Sequence, residues 1–344
     1  MASDEVTVRG GGIFGLACAW ELARCGAKVR LIELARIGAG ASGGLVGALS
    51  PHVPEHWTAA KQFQLDSLLM AENFWRAVEA ASGLPTGYGR VGRLQPLADS
   101  AALERAEARA RAASHLWRGR ALWRLCPATG AAWEPPSPTG LLIEDTLSAR
   151  LHPRLATAAL AAALRATGAE ILFGEAEERG PVLHATGAAG LADLSTALGY
   201  EIGTAQKGQA LSLGFAAPEG APQIYADGLH IVAHVDGSIA IGSTSERDWT
   251  DPATTDARLD HLHARAVAAL PCLADAPVIA RWAGLRPRAR QPLLGRWPGR
   301  PGHFIANGGF KTGFGLAPAI ARAMADLILT GADRIPPDFH LPES

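Results

Sequence analysis

Val6-Thr-Val-Arg-Gly-Gly-Gly-Ile-Phe-Gly15 runs straight into Leu16–Cys25, Gly26 and Lys28-Val-Arg-Leu-Ile-Glu33. The first three residues read as a short buried strand. Gly10–Gly15 is a glycine-rich turn, and Leu16–Cys25 is a helix for which Gly26 is the C-terminal stop. Lys28–Glu33 is a second strand. Together they form one βαβ unit of about 30 residues. The glycines fall as Gly10-x-Gly12-x-x-Gly15, and each spacing has a use: a tight turn, close backbone approach to a pyrophosphate, and packing of helix on strand. The helix start adds free N–H groups and a partial positive charge. Glu33 stands 23 residues beyond Gly10, the offset of an acid that binds a ribose hydroxyl pair. Strand, turn, helix, strand and acid in this order predict a dinucleotide site. The acid disfavours a 2′-phosphate, so it leaves FAD and NAD.

The rest of the composition sets the class. The chain has 344 residues, long enough for two domains, with 48% hydrophobic and 19% charged residues, which excludes wholesale disorder. Thirty-two Lys and Arg oppose 33 Asp and Glu, so no global field draws it to nucleic acid or an anionic membrane. Arg118, Arg120 and Arg124 lie beside Trp117 and Trp123 and read as a solvated face of a helix spanning Ser100–Leu125. Cys18, Cys25, Cys126 and Cys272 form no CxxC, indicating neither a metal site nor a disulfide framework. No metal is expected. No apolar run is read as reaching the ~18 residues of a membrane span. The acidic Met1–Val6 argues against a signal peptide, so the expected location is the cytoplasm.

Beyond the opening unit, a helix is expected over about Lys61–Ala81 and an Ala-rich one over Pro153–Thr167. Strands follow at Glu170–Phe173 and Val182–Gly187. From Lys207 the pattern changes to short strands, Gln209–Leu213, Leu229–His234 and Ser238–Ile241, with a hairpin signal at Asp236-Gly237. A helix is expected over Thr255–Leu270, Trp282–Gly295 reads as a Pro- and Arg-rich loop, His303–Asn307 as a buried strand, and Leu316–Leu329 as the last helix.

Four further segments carry a resemblance: Gly40-Ala-Ser-Gly-Gly-Leu-Val-Gly-Ala-Leu-Ser-Pro51, Ala185-Thr-Gly187, Trp282-Ala-Gly-Leu-Arg-Pro287, and Ala306-Asn-Gly-Gly-Phe-Lys-Thr-Gly-Phe-Gly-Leu-Ala-Pro318. In this order the chain resembles the FAD-dependent amine and amino-acid oxidases of the D-amino-acid oxidase superfamily, in particular the glycine oxidase and sarcosine oxidase branch. The resemblance runs over nearly the whole chain and is loosest from Leu84 to Glu144. It implies an α/β fold: a Rossmann-like FAD-binding domain from residues 1–85, 147–205 and 278–344, with an inserted α+β substrate domain on a mostly antiparallel sheet, 86–146 and 206–277.

The resemblance also implies roles. Gly10, Gly12 and Gly15 shape the phosphate turn, with Ile13 and Phe14 at the pyrophosphate and Glu33 and Leu34 at the adenosine. Ala41 and Ser42 lie along the phosphates, Val46, Gly47 and Ala48 line the isoalloxazine, and Ala176 touches adenine through its backbone. Thr186 and Gly187 belong to the interior strand end. Thr312, Gly313, Phe314, Gly315 and Leu316 wrap the pyrimidine end of the flavin. Arg286 grips the substrate carboxylate, a task suited to a guanidinium fork. Lys311 stands where relatives carry arginine; it serves the substrate site, sits near the flavin to favour reaction with oxygen, or points to solvent. His52, His56 and Trp57 follow the flavin loop and are weighed as pocket residues. Leu229–His234 ends in His where relatives carry Pro-Arg. No cysteine fits a flavin-attachment motif, so FAD is expected without a covalent link.

The implied reaction is oxidative deamination of a small or N-substituted amino acid. Hydride passes from the α-carbon to flavin N5, and oxygen or another acceptor receives the electrons. The partners are a small amine bearing a carboxylate and the acceptor, with no nucleic acid. The alternatives are a D-amino-acid dehydrogenase with a non-oxygen acceptor, an FAD-binding protein without turnover, and an NAD-dependent dehydrogenase.

Overall fold

The structure is a computed structural model that describes residues 5–341. Residues 1–4 and 342–344 lie outside it, and with them the start of the acidic N-terminal segment and the two ends of the expected cofactor-domain stretches. The opening unit folds as read: β1 (Glu5–Arg9), α1 (Ile13–Arg24) and β2 (Lys28–Glu33). Then come β3 (Ala48–Leu49), α2 (Ala59–Ser82), β4 (Arg93–Pro96), α3 (Ser100–Leu116), β5 (Trp123–Pro127), β6 (Leu141–Asp145) and β7 (Ala149–Arg150). The middle of the chain supplies α4 (Pro153–Ala166), β8 (Glu170–Phe173), β9 (Val182–His184), α5 (Gly187–Leu198) and β10 (Gly203–Gly214). It continues with β11 (Gln223–Ala226), β12 (Leu229–Ala233), β13 (Ser238–Gly242) and α6 (Arg258–Ala269), and ends with β14 (Val278–Arg296), β15 (His303–Gly309) and α7 (Gly313–Thr330).

Among the described residues thirteen strands join in one sheet, in the order β5-β6-β4-β11-β12-β13-β10-β14-β15-β9-β1-β2-β8. The β15-β9-β1-β2-β8 end is parallel throughout. Its central strands are apolar because helices cover both faces of such a sheet; Val6 and Val8 on β1 and Leu31 on β2 are fully buried. The other end is almost wholly antiparallel. This is the α/β architecture expected, a Rossmann-like region carrying a mostly antiparallel one.

The strand that joins the two ends is the main departure from the sequence reading. Trp282–Gly295 is not a loop but part of β14. Its first part pairs with β10, and its last part, from Leu293, pairs with β15; the register shifts between Arg288 and Leu293. Pro287 and Pro292 withhold donors, which marks a loop locally. Pairing of the first part with residues more than seventy positions away overrides that signal. Similarly, the helix expected through Leu125 stops at Leu116. Arg118 and Gly119 adopt positive φ (50° and 69°), and the chain returns as β5. The arginine cluster therefore sits on a turn and a strand. It is solvated as expected: Arg124 pairs with Glu144 at 2.6 Å, while Trp117 and Trp123 are buried.

A second correction concerns membrane-spanning length. Gly313–Thr330 is long and apolar enough to cross a bilayer, with mean hydropathy 1.3; only Arg322 and Asp326 are charged. It is nevertheless a core helix, with 61% of the segment buried inside the protein. Its small residues let α1 and α2 pack closely, and the core gathers there around Trp20, Phe74 and Trp75, whose rings meet edge to face at 5.0 to 5.2 Å.

Candidate active site

The glycine turn closes against the end of β9. A Cβ on Gly10 would stand 2.3 Å from the Ala185 carbonyl oxygen, and one on Gly15 would stand 1.9 Å from that of Gly10. Only glycine lets strand and helix approach this closely. Glu33, at the tip of β2, accepts hydrogen bonds from Gly11 N–H at 2.6 Å and Ala35 N–H at 3.0 Å. Ser42 Oγ accepts from Ile13 N–H at 2.9 Å, seating the 38–44 segment on the start of α1. Phe14 N–H has no partner among the described residues, and helix α1 carries no side-chain cap. A helix start with a free N–H is suited to an anion.

From this turn a cavity of about 570 Å³ runs to the junction of the parallel and antiparallel regions. Of the residues singled out in the sequence, Gly10, Gly12, Ile13, Phe14, Glu33, Ala41, Ser42, Val46, Ala48, Thr186, Gly187, Gly313, Phe314, Arg286 and Lys311 line it. Gly47 lies just behind, its carbonyl accepting from Leu151 N–H at 2.9 Å. Thr312 closes the turn before α7 through bonds to the Gly309 carbonyl, and Gly315 and Leu316 are buried in the first turns of α7. Gly15 is the packing contact described above. Leu34 is 63% exposed and faces a neighbouring cavity of about 420 Å³ beside Glu33 and Glu178. Ala176 is half-buried after β8 and lines neither cavity. His52, His56 and Trp57 do not line the cavity either. His52 N–H donates to Gln64 Oε1 at 2.7 Å, Trp57 Nε1–H donates to Gln62 Oε1 at 3.0 Å, and both histidines are exposed.

At the far end Arg286 is only 8% exposed. One terminal nitrogen donates to Ser243 Oγ at 2.6 Å; the other donates to the Thr244 carbonyl at 2.5 Å and, more weakly, to that of Lys207 at 3.5 Å. Its Nε–H is buried with no partner. A guanidinium has five N–H donors; three are engaged here, and the residue lines the cavity. Burial pulls its pKa down to about 10, opposed by the attraction of Glu246, so it stays cationic at neutral pH. Glu246 is itself held by Gln209, Thr244 and Arg258. Arg286, Arg288 and Lys311 lie 5.4 to 5.6 Å from the Phe310 ring centroid. Lys311 is lowered by burial and by the two arginines.

Several contributors escaped the sequence reading. Gly208 sits beneath Arg286, where a Cβ would stand 1.7 Å from the guanidinium; a glycine inside a strand is the signal for such an approach. Ser243 and Thr244 carry no motif. His230, the polar residue of β12, lines the cavity with an unpartnered, buried Nδ1. Burial, then Arg93 and Lys311, pushes its pKa down to about 3, so it is neutral. Asn307 bridges the Gly187 carbonyl and Gly308 N–H at 2.9 and 2.8 Å.

The donor set fits an extended dinucleotide cofactor: the Glu33 carboxylate at one end, a helix start with a free N–H in the middle, and a second helix start, Gly313, lining the cavity near its cationic end. Comparison with known proteins agrees. A family profile described as FAD dependent oxidoreductase matches residues 5–327. Glycine oxidase of Pseudomonas aeruginosa is 31% identical, over 95% of both chains. Glycine oxidase of Geobacillus kaustophilus superimposes with a TM-score of 0.84 at 22% identity over 99% of this chain and 100% of that one. Iminodiacetate oxidase of Chelativorans sp. BNC1 does so with 0.83 at 22% identity, over 98% of this chain and 100% of that one. The chain belongs to this family and is an FAD-dependent oxidoreductase.

Proposed function

We propose that this protein oxidises a small amine bearing an α-carboxylate, of the glycine, sarcosine or D-amino-acid type. The observation that carries the reading is Arg286: a buried cation, fixed by three carbonyl or hydroxyl acceptors, that lines the cavity at the end opposite Glu33.

In this reading Arg286 takes the substrate carboxylate in a two-point grip, which sets both position and orientation. Among the lining residues the one carboxylate is Glu33, at the nucleotide end. The substrate end presents Arg286 and Lys311 together with the start of α7. This field disfavours an ammonium and favours the neutral amine, whose lone pair the oxidation requires. FAD, when bound, supplies the acceptor for a hydride from the substrate α-carbon and the route by which the electrons reach oxygen as hydrogen peroxide. The imine left behind hydrolyses. The sequence resemblance and the 31% identity to a glycine oxidase support this reading.

The test is anaerobic mixing of the purified yellow protein with glycine, sarcosine, D-alanine and D-proline. Loss of the visible flavin band with at least one of them, and peroxide on admitting air, is expected. A band that survives every carboxylated amine overturns the reading. Bleaching without peroxide returns the function to the dehydrogenase alternative.

A further inference from the structure

The Leu45–Ala48 segment borders the cavity, yet only Ala48 belongs to a strand, the two-residue β3 paired with β7. What fixes its inner part is a side chain 189 positions away: His234 Nε2 lies 2.9 Å from the Leu45 carbonyl oxygen. A carbonyl has no proton to give, so Nε2 carries the hydrogen and Nδ1 carries the lone pair. That Nδ1 is buried and unpartnered, and His234 is only 6% exposed.

The imidazole is held in turn. The His152 ring lies against it, centroids 4.7 Å apart at 50°. His152 Nε2 is 3.6 Å from Asp236 Oδ2, and Asp236 is fixed by Ser238 through its N–H at 3.0 Å and Oγ–H at 2.7 Å. The His234 backbone closes the hairpin, donating to the Ser238 carbonyl at 2.8 Å. His152 is anchored as the N-cap of α4, its Nδ1 accepting from Leu155 N–H. A trans peptide points its C=O and N–H in opposite directions. With the Leu45 carbonyl committed to His234, the Val46 N–H points the other way, and it has no partner among the described residues. Val46 lines the cavity.

We propose that His234 is a positioning residue for the cofactor: it fixes the Leu45–Val46 peptide so that the Val46 N–H is presented to the flavin, with His152 and Asp236 holding the imidazole. The inference rests on the flavin ring lying along Leu45–Ala48, as in the reading of the site above. It does not depend on which amine is oxidised.

The experiment compares His234→Leu and His234→Gln with the parent holoprotein. Gln keeps an N–H donor near the reach of Nε2; Leu keeps bulk without a donor. Three readouts are taken: the visible flavin spectrum, the flavin reduction potential, and the FAD dissociation constant measured by refilling the apoprotein. We expect His234→Leu to shift the spectrum and the potential and to weaken FAD at least tenfold, and His234→Gln to recover most of each. With an active amine, kcat should fall in His234→Leu while KM stays within about twofold, because Arg286 is untouched. Should His234→Leu fail to fold, His152→Asn, which keeps the helix cap and removes the ring, must give the same shifts in smaller measure. Parent-like spectrum, potential and FAD affinity in the folded variants overturn the proposal. A parent that holds FAD but oxidises no amine overturns the proposed function instead, and leaves the spectral and binding comparison standing.

Discussion

Gly208 and Arg286 occupy one volume: a single Cβ at position 208 would sit 1.7 Å from a terminal guanidinium nitrogen and 2.2 Å from its central carbon. The paired strands β10 and β14 thus carry a glycine on one strand so that the arginine of the other can lie flat across it. There it is within reach of Ser243 and Thr244, just beyond β13. The buried cation is a product of three chain segments, each far from the others in sequence.

Gly208→Ala should therefore move Arg286 rather than unfold the protein, because the clash is with the end of a flexible side chain. KM for the carboxylated amine is expected to rise at least about tenfold, the scale of one charge-assisted hydrogen bond. FAD occupancy should be unchanged and Tm should fall by only a few degrees. Steady-state kinetics and absorbance of the purified variant check this. An unchanged KM would show that the guanidinium can serve from another position.

Replacing Arg286 separates charge from shape. Arg286→Lys keeps the cation but loses the fork, and should lower kcat/KM by about two orders of magnitude, mostly through KM. Arg286→Ala removes the cation as well and should cost more, while an amine lacking a carboxylate should be little affected by either change. Equal losses on both amines would remove the carboxylate grip from the mechanism.

Glu33→Ala should lower FAD retention. The carboxylate takes two backbone N–H groups, of Gly11 and Ala35, and so organises the turn as well as lining the cavity. A variant that leaves dialysis with full yellow occupancy would contradict this; loss of colour that excess FAD restores is the expected outcome.

Acid should destabilise the fold before it affects most carboxylates. Burial lowers His184 and His234 to about 4 and His230 to about 3, from an ordinary 6.5. His184 is further opposed by His303 and Arg300, His230 by Arg93 and Lys311, and His234 by His152 and Arg150. Above 6.5 both folded and unfolded chains hold these rings neutral, and their contribution is fully present. Between 6.5 and about 4 the unfolded chain binds protons that the folded one refuses, so stability falls with pH. At about 1.4 kcal/mol per unit of depression, the three together make a loss of several kcal/mol. Urea unfolding at about pH 7 and about pH 5 measures it, and a flat response would show that these rings are not neutral and buried together.

The sequence by itself determined the nucleotide end. Gly10, Gly12, Gly15 and Glu33 act through contacts within one contiguous βαβ unit, where turn geometry and helix start follow from residues near in the chain. The same holds for the Asp236-Gly237 hairpin and for the Ala-rich helix that starts at Pro153. The Arg286 end was legible only as a motif, and its local signals misled: prolines and arginines marked a loop where β14 runs. Only the tertiary structure decided that Arg286 is buried, that Gly208 makes room for it, that Ser243 and Thr244 hold it, and that His234 reaches Leu45. Each of these depends on strand register between segments tens to hundreds of residues apart. That register is set by the collective burial of the sheet, which no short stretch of sequence contains.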